Sequence, residues 1–102
     1  MVVPALAIGR SHVYHLYTIL HPRRDALAAH LNANGVQTAI NYPVALPFVE
    51  AYRRLGHRPE EFPNASQQQN HILSLPMFAE ITPDQQYKVV DLIRNFEFQE
   101  RA

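Results

Sequence analysis

No cysteine occurs among the 102 residues, which excludes a disulfide framework, a thiolate metal site and a cysteine nucleophile. Glycine is scarce: Gly9, Gly35 and Gly56 stand alone, so no glycine-rich loop is available to cradle a phosphate. Neither sign of charge dominates, because nine Lys and Arg balance nine Asp and Glu. No basic cluster exceeds the pairs Arg23-Arg24 and Arg53-Arg54, which argues against nucleic acid or an anionic membrane surface as a partner. Nowhere does an apolar run reach the roughly 18 residues of a membrane span. The apolar start, Met1 to Ile8, is interrupted by Pro4 and lacks the basic flank of a signal peptide. The expectation is a soluble, cytoplasmic protein with no membrane partner.

What is present reads as a single domain over residues 1–102, with a radius of gyration of about 13 Å if compact and room for one core. Eight prolines exceed the usual share of about 5% and divide the chain into short elements. His12 to Leu20 is dense in aromatic and β-branched residues and predicts a strand covered on both faces. After Pro22, the segment Arg23 to Asn34 places Leu27 and Leu31 on one helical face, and Gly35 suits the position just past the helix end. Val36 to Ile40 alternates as a second strand and runs into a Pro-bearing loop, Asn41 to Pro47. Phe48, Tyr52 and Leu55 recur at helical spacing before Gly56 and predict a short helix. His57 to Pro63 holds no regular element, and Asn64 with Gln67 three positions on predicts a helix start. Ile72 to Leu75 is a brief third strand. Thr82-Pro83-Asp84-Gln85 combines an N-cap, a proline at the first helical position, an acid in the first turn and a capping-box glutamine. The helix it opens turns Val89, Val90, Ile93 and Phe96 toward a core. The fold class is α+β: a small, mainly antiparallel sheet of about three strands with helices packed on it.

The residue chemistry alone supports no autonomous catalysis. Six histidines suggest a metal site, but His12 and His15 point to opposite faces of a strand, and His21, His30, His57 and His71 fall in separate elements without a carboxylate pattern. No metal site is expected. Ser11, Ser66 and Ser74 sit in no nucleophile-elbow context. Glu60-Glu61 is an adjacent pair in a solvated loop, where neighbouring side chains diverge. Lys88, the one lysine, lies on the outer side of the last helix, and a solvated ammonium is a poor imine former.

Four blocks occur in register: His12-Val13-Tyr14-His15-Leu16-Tyr17, Arg24-Asp25-Ala26-Leu27, Gly35 through Ile40 with Asn41-Tyr42-Pro43, and Leu73-Ser74-Leu75-Pro76-Met77-Phe78. Together they resemble the C-terminal part of the DegT/DnrJ/StrS-type sugar aminotransferases, from about His12 to Ile93. The resemblance implies the small C-terminal domain of a fold type I, pyridoxal-phosphate-dependent enzyme. Such enzymes transfer an amino group from an amino acid, commonly glutamate, to a nucleotide-linked keto-sugar. It further implies that the Schiff-base lysine and the phosphate-binding residues belong to a large domain lying N-terminal to this segment. On that reading the fragment has no cofactor site and no catalytic residue of its own, and is inactive alone. Its partners are the parent's large domain and the nucleotide-sugar, and the parent is a homodimer.

In the family the loop after the second strand usually reads His-Tyr-Pro and approaches the sugar-nucleotide end of the active site. That motif maps onto Asn41-Tyr42-Pro43, making Asn41 and Tyr42 the candidate substrate-binding residues. Asn41 replaces the family's histidine: it donates and accepts hydrogen bonds but does not titrate near neutrality. His15 and Tyr17 are further residues that could face the cleft. An uncovered apolar patch is expected near Tyr42, Pro43 and Leu46. The alternative is a free-standing α+β binding or regulatory module without catalysis.

Overall fold

The computed structural model describes residues 1–101, the side chain of Glu100 excepted. Two antiparallel strands form its centre: β1, Tyr17–Leu20, and β2, Ile72–Leu75. They pair Tyr17 with Leu75, Thr18 with Ser74, Ile19 with Leu73 and Leu20 with Ile72. Opposite residues in such a pair share a face, so Ile19 and Leu73 stand together on the side of the helices, both fully buried. Thr18 and Ser74 stand on the other side with their hydroxyl oxygens 3.0 Å apart.

Two helices cover the Ile19 side. Helix α1, Arg24–Ala33, contributes Leu27 and Leu31, which lie one turn apart on the same face. The long helix α3, Pro83–Arg101, contributes Val89, Ile93 and Phe96, and these residues with Val36 complete the core. Leu92 packs at its margin. Val90, expected in the core stripe, is instead 41% exposed: with Val89 and Ile93 facing inward, it falls beyond the edge of the buried stripe.

Local chemistry explains the start of α3 and the end of α1. The Thr82 hydroxyl accepts the Gln85 N–H at 3.2 Å while the Gln85 side chain accepts the Thr82 N–H at 2.9 Å, the reciprocal capping box expected there. At the end of α1 the Val36 N–H reaches back to the Leu31 carbonyl and the Gly35 N–H to that of Asn32, the Schellman pattern. Gly35 adopts the left-handed conformation this requires, at φ +78°. Arg24, buried at the start of α1, donates to the carbonyls of Ile72 at 2.9 Å and Gln69 at 3.3 Å, tying α1 to the entrance of β2.

The sheet is smaller than expected, two strands with one isolated bridge on each flank. The strand expected over His12 to Leu20 begins only at Tyr17, because Tyr14 turns the chain aside at φ +49° and donates its N–H to His12 Nδ1 at 2.8 Å. The strand expected over Val36 to Ile40 is reduced to the bridge between Ala39 and Ser74. Val36 is taken up in closing α1, and Tyr42 at φ +66° ends the extended run. On the other flank Val2 bridges Leu20.

The helix expected over Phe48 to Leu55 is instead two 3-10 turns, Leu46–Phe48 and Glu50–Leu55. Val49 is extended between them, and no neighbouring element buries Tyr52 or Leu55. A third such turn, Pro59–Glu61, occupies the stretch expected to be irregular, held by Arg58 N–H donating to Glu61 Oε2 at 2.6 Å. Helix α2, Pro63–Gln68, begins two residues earlier than the Asn64 cap predicts: Phe62 is the cap residue and Pro63 takes the first helical position, which its fixed φ favours. The Cα radius of gyration is 15.8 Å, above the roughly 13 Å of a compact chain of this length, because the segments before β1 and between Asn41 and Pro63 project from the core.

Candidate functional site

The Asn41-Tyr42-Pro43 loop leaves the sheet two residues after the Ala39 bridge. Since Ala39 runs antiparallel to β2, the loop travels toward the end of the sheet formed by Leu20 and Ile72. Tyr42 is held at a positive φ, uncommon for a bulky residue, and is 82% exposed. Asn41 is half buried, and its Oδ1 is enclosed without a hydrogen-bond partner. A buried unpaired oxygen is costly, so the loop is held in place by contacts other than this amide. One of them is the Ala45 N–H, which donates to Gln69 Oε1 at 2.8 Å beside the end of α2. The loop thus presents a phenol ring outward on a backbone anchored at both ends, a geometry suited to contacting a second body.

His15 and Tyr17 do not share this location. They enter β1 from the opposite end of the ladder, where Tyr17 pairs with Leu75. Tyr17 packs against the core and His15 is exposed.

The histidines are dispersed into separate structural tasks. His21 accepts the Arg23 N–H at Nδ1, 2.9 Å away, and faces Glu97 Oε1 from Nε2 at 3.0 Å. His30 donates from Nε2 to the Leu92 carbonyl at 3.1 Å, joining α1 to α3. His71 donates from Nδ1 to the Gln67 carbonyl at 2.7 Å. His57 meets the Phe62 ring edge-on. Among the described residues no group of three His, Cys, Asp or Glu is placed to hold a metal ion.

The donors of this chain do not fit pyridoxal phosphate. Lys88 is exposed, and its Nζ sits 3.6 Å from where a Cβ on Gly35 would lie, at the C-terminal end of α1 where a cation complements the helix dipole. A phosphate would call for free N–H groups at a helix start, but the first turn of α3 is closed by Thr82 and Gln85. Arg24 occupies the start of α1 with its guanidinium already bonded.

Asn41 and Tyr42 are site candidates through the family motif alone. It did not reach the enclosed Asn41 oxygen or the positive φ at Tyr42 and Tyr14, since these depend on how distant segments close around the loop. The Arg24-Asp25-Ala26-Leu27 block acquires a structural meaning: Arg24 ties α1 to β2, and Leu27 is core.

The chain as a whole is similar to known proteins. A pleiotropic regulatory protein of Geobacillus stearothermophilus is 40% identical over 96 residues, covering 94% of this chain and 26% of that protein. The dTDP-3-amino-3,4,6-trideoxy-alpha-D-glucose transaminase of Streptomyces venezuelae is 36% identical over 96 residues, covering 92% of this chain and 25% of that protein. The crystal structure of S. venezuelae DesV in complex with a ketimine intermediate superposes with a TM-score of 0.85 at 30% identity, over 93% of this chain and 26% of that one. The chain thus spans about a quarter of the length of the relatives it matches. Residues 2–94 match the family model described as the DegT/DnrJ/EryC1/StrS aminotransferase family, and the chain belongs to that family.

Proposed function

We propose that this chain acts as the small, C-terminal domain of a pyridoxal-phosphate-dependent aminotransferase. The enzyme carries an amino group from an amino acid, glutamate, to a keto-sugar linked to a nucleotide. The observation that carries this reading is the fit to the S. venezuelae structure, TM-score 0.85 at 30% identity, together with the dTDP-sugar transaminase activity named for the relative from the same organism. The cofactor and its lysine belong to the larger part of such a polypeptide. This chain contributes the Asn41-Tyr42-Pro43 loop, whose outward phenol and polar amide line the nucleotide-sugar end of the active site. Asn41 serves there as a hydrogen-bonding group rather than a proton carrier. The assembled enzyme is a cytoplasmic homodimer.

The test begins with the DNA upstream of codon 1, where an in-frame, lysine-bearing large domain is expected. The polypeptide so defined is then incubated with glutamate and dTDP- or UDP-linked keto-sugars, and amino-sugar with an equal amount of 2-oxoglutarate is the expected product. Absence of the large domain, or of amination across those sugars, rejects the proposal. A second reading, a binding or regulatory module without catalysis, is favoured by the description of the G. stearothermophilus relative as a regulatory protein. It predicts a chain that functions with no transaminase activity attached.

A further inference from the structure

The core uses only one side of α3. Val89, Ile93 and Phe96 face inward, and the opposite side carries Asp84, Tyr87, Asp91, Arg94, Phe98 and Arg101, all exposed. At 3.6 residues per turn these six positions fall within about 100° of one another, facing away from the buried stripe. They follow one another at intervals of three, four, three, four and three residues, the spacing of a coiled-coil seam. Two aromatic rings stand on this seam with nothing to bury them: Tyr87 is 67% and Phe98 75% exposed.

Reversed end for end, the seam is its own complement. Positions equidistant from the midpoint between Leu92 and Ile93 match Asp91 with Arg94, Tyr87 with Phe98, and Asp84 with Arg101. A second α3 laid antiparallel about that midpoint sets each acid against an arginine and each ring against a ring. Two-fold symmetry makes every such pairing twice. A parallel arrangement would set Asp91 against Asp91 and Arg94 against Arg94, which like-charge repulsion disfavours. The antiparallel arrangement also opposes the two helix dipoles.

The surface already holds a seat for one of the rings. Arg94, Glu97, Phe98 and Arg101 stand at i, i+3, i+4 and i+7 and, with Ile93, line a shallow groove of about 450 Å³. Four residues so spaced form the hole into which a coiled-coil knob inserts. In the antiparallel register, Tyr87 of a second copy arrives opposite Phe98, over this groove. There the guanidinium groups of Arg94 and Arg101 can stack on its ring.

We propose that the outer face of α3 is an interface for a second copy of this chain, the two helices packing antiparallel about a two-fold axis beside Leu92 and Ile93. The occupant is argued from charge: the face carries two acids and two arginines in an order that only its own reverse complements, and such a face does not suit a lipid surface. Nineteen residues of helix span about 28 Å. One helix pair of that length buries less than the roughly 1,200–2,000 Å² of a stable complex, and exposed ion pairs add little. The dimer is therefore weak, with a dissociation constant on the order of 10⁻⁴ M. The contact engages neither Asn41 nor Tyr42 and does not rest on the proposed function.

Sedimentation equilibrium up to millimolar concentration tests the proposal, in a Leu46→Ser background so that the exposed loop leucine takes no part. The parent chain is expected to dimerise weakly. Asp91→Arg faces a second arginine across the axis and Arg94→Asp a second acid, and each weakens association by about tenfold or more. An equimolar mixture of these two variants sets opposite charges face to face again and is expected to restore the dimer as a heterodimer. A chain carrying both changes restores the homodimer. Both positions are exposed, so the melting temperatures stay at that of the parent. Phe98→Ser is an independent variant, expected to remove association while the melt is kept. A parent that stays monomeric throughout overturns the proposal, as does association that neither Asp91→Arg nor Phe98→Ser weakens. A mixture that associates no more tightly than its components overturns the antiparallel register and the proposal with it. Concentration-dependent amide shifts centred on residues 84–101 support the interface, and shifts only elsewhere overturn it. None of these readouts involves transamination, so the proposed function stands or falls separately.

Discussion

His21 and Glu97, 76 positions apart, meet with Nε2 and Oε1 separated by 3.0 Å. Because Nδ1 already accepts the Arg23 N–H, the proton of the neutral ring resides on Nε2 and is donated to Glu97. The ring is buried and contacts Phe96 edge-on, so one side chain joins the exit of β1, the entry to α1 and the last turns of α3.

Removing that junction is expected to be costly in an asymmetric way. His21→Ala leaves the Arg23 N–H without its acceptor and Glu97 without its donor, for a loss of about 2–3 kcal/mol. Glu97→Gln retains an oxygen to accept the Nε2 proton and costs under about 1 kcal/mol. Urea melts of the two variants check the ranking, and equal losses would mean that the junction depends on the Glu97 carboxylate charge rather than on an accepting oxygen alone.

The start of α3 offers a cleaner local test. Thr82→Ala removes the hydroxyl that accepts the Gln85 N–H and is expected to lower stability by about 1 kcal/mol. Thr82→Ser keeps the oxygen and the stability. A chemical melt of both variants separates capping from side-chain size.

These two sites also mark what was readable in the sequence. The capping box involves positions three apart, so Thr82 and Gln85 announce it without knowledge of the rest of the chain. The same holds for Gly35 behind α1 and for the four residues of β2 between His71 and Pro76. Strand propensity over His12 to Leu16 is equally visible, but a strand needs a neighbour, and Pro4 and the bend at Tyr14 withhold one. Val36 to Ile40 fails for a related reason: Val36 is claimed by the closing turn of α1, which leaves only Ala39 to bridge Ser74. In Phe48 to Leu55 the helical spacing is present, but with no surface to bury Tyr52 and Leu55 the chain settles into 3-10 turns. Of the candidate site, Asn41 and Tyr42 were identified through the family motif. The enclosed Asn41 oxygen, by contrast, is created by tertiary packing that no local pattern encodes.

Gly35→Ala isolates a backbone effect. A new Cβ would meet only Lys88 Nζ at 3.6 Å, an ordinary contact with the end of a flexible side chain, so the cost arises from the left-handed conformation. It is expected to be about 1–2 kcal/mol. Gly35→Asn should lose less, since asparagine tolerates that region. Thermal melts of the pair decide, and identical losses would point to a steric origin instead.

The loop surface carries the last prediction. Leu46 is 67% exposed and Tyr42 and Val44 are exposed near it in sequence, while Pro47, Tyr52, Leu55 and His57 join Leu46 around a shallow pocket of about 240 Å³. None of these residues belongs to the core, so this apolar surface can be altered without disturbing the fold. Apolar patches of this kind favour association, and the chain is expected to self-associate weakly at high concentration. Leu46→Ser should reduce that association and leave the cooperative melt in place. Sedimentation velocity across a concentration series, with the melt as control, provides the check. Unchanged association places the sticky surface elsewhere, and a lost melt shows that Leu46 supports the fold after all.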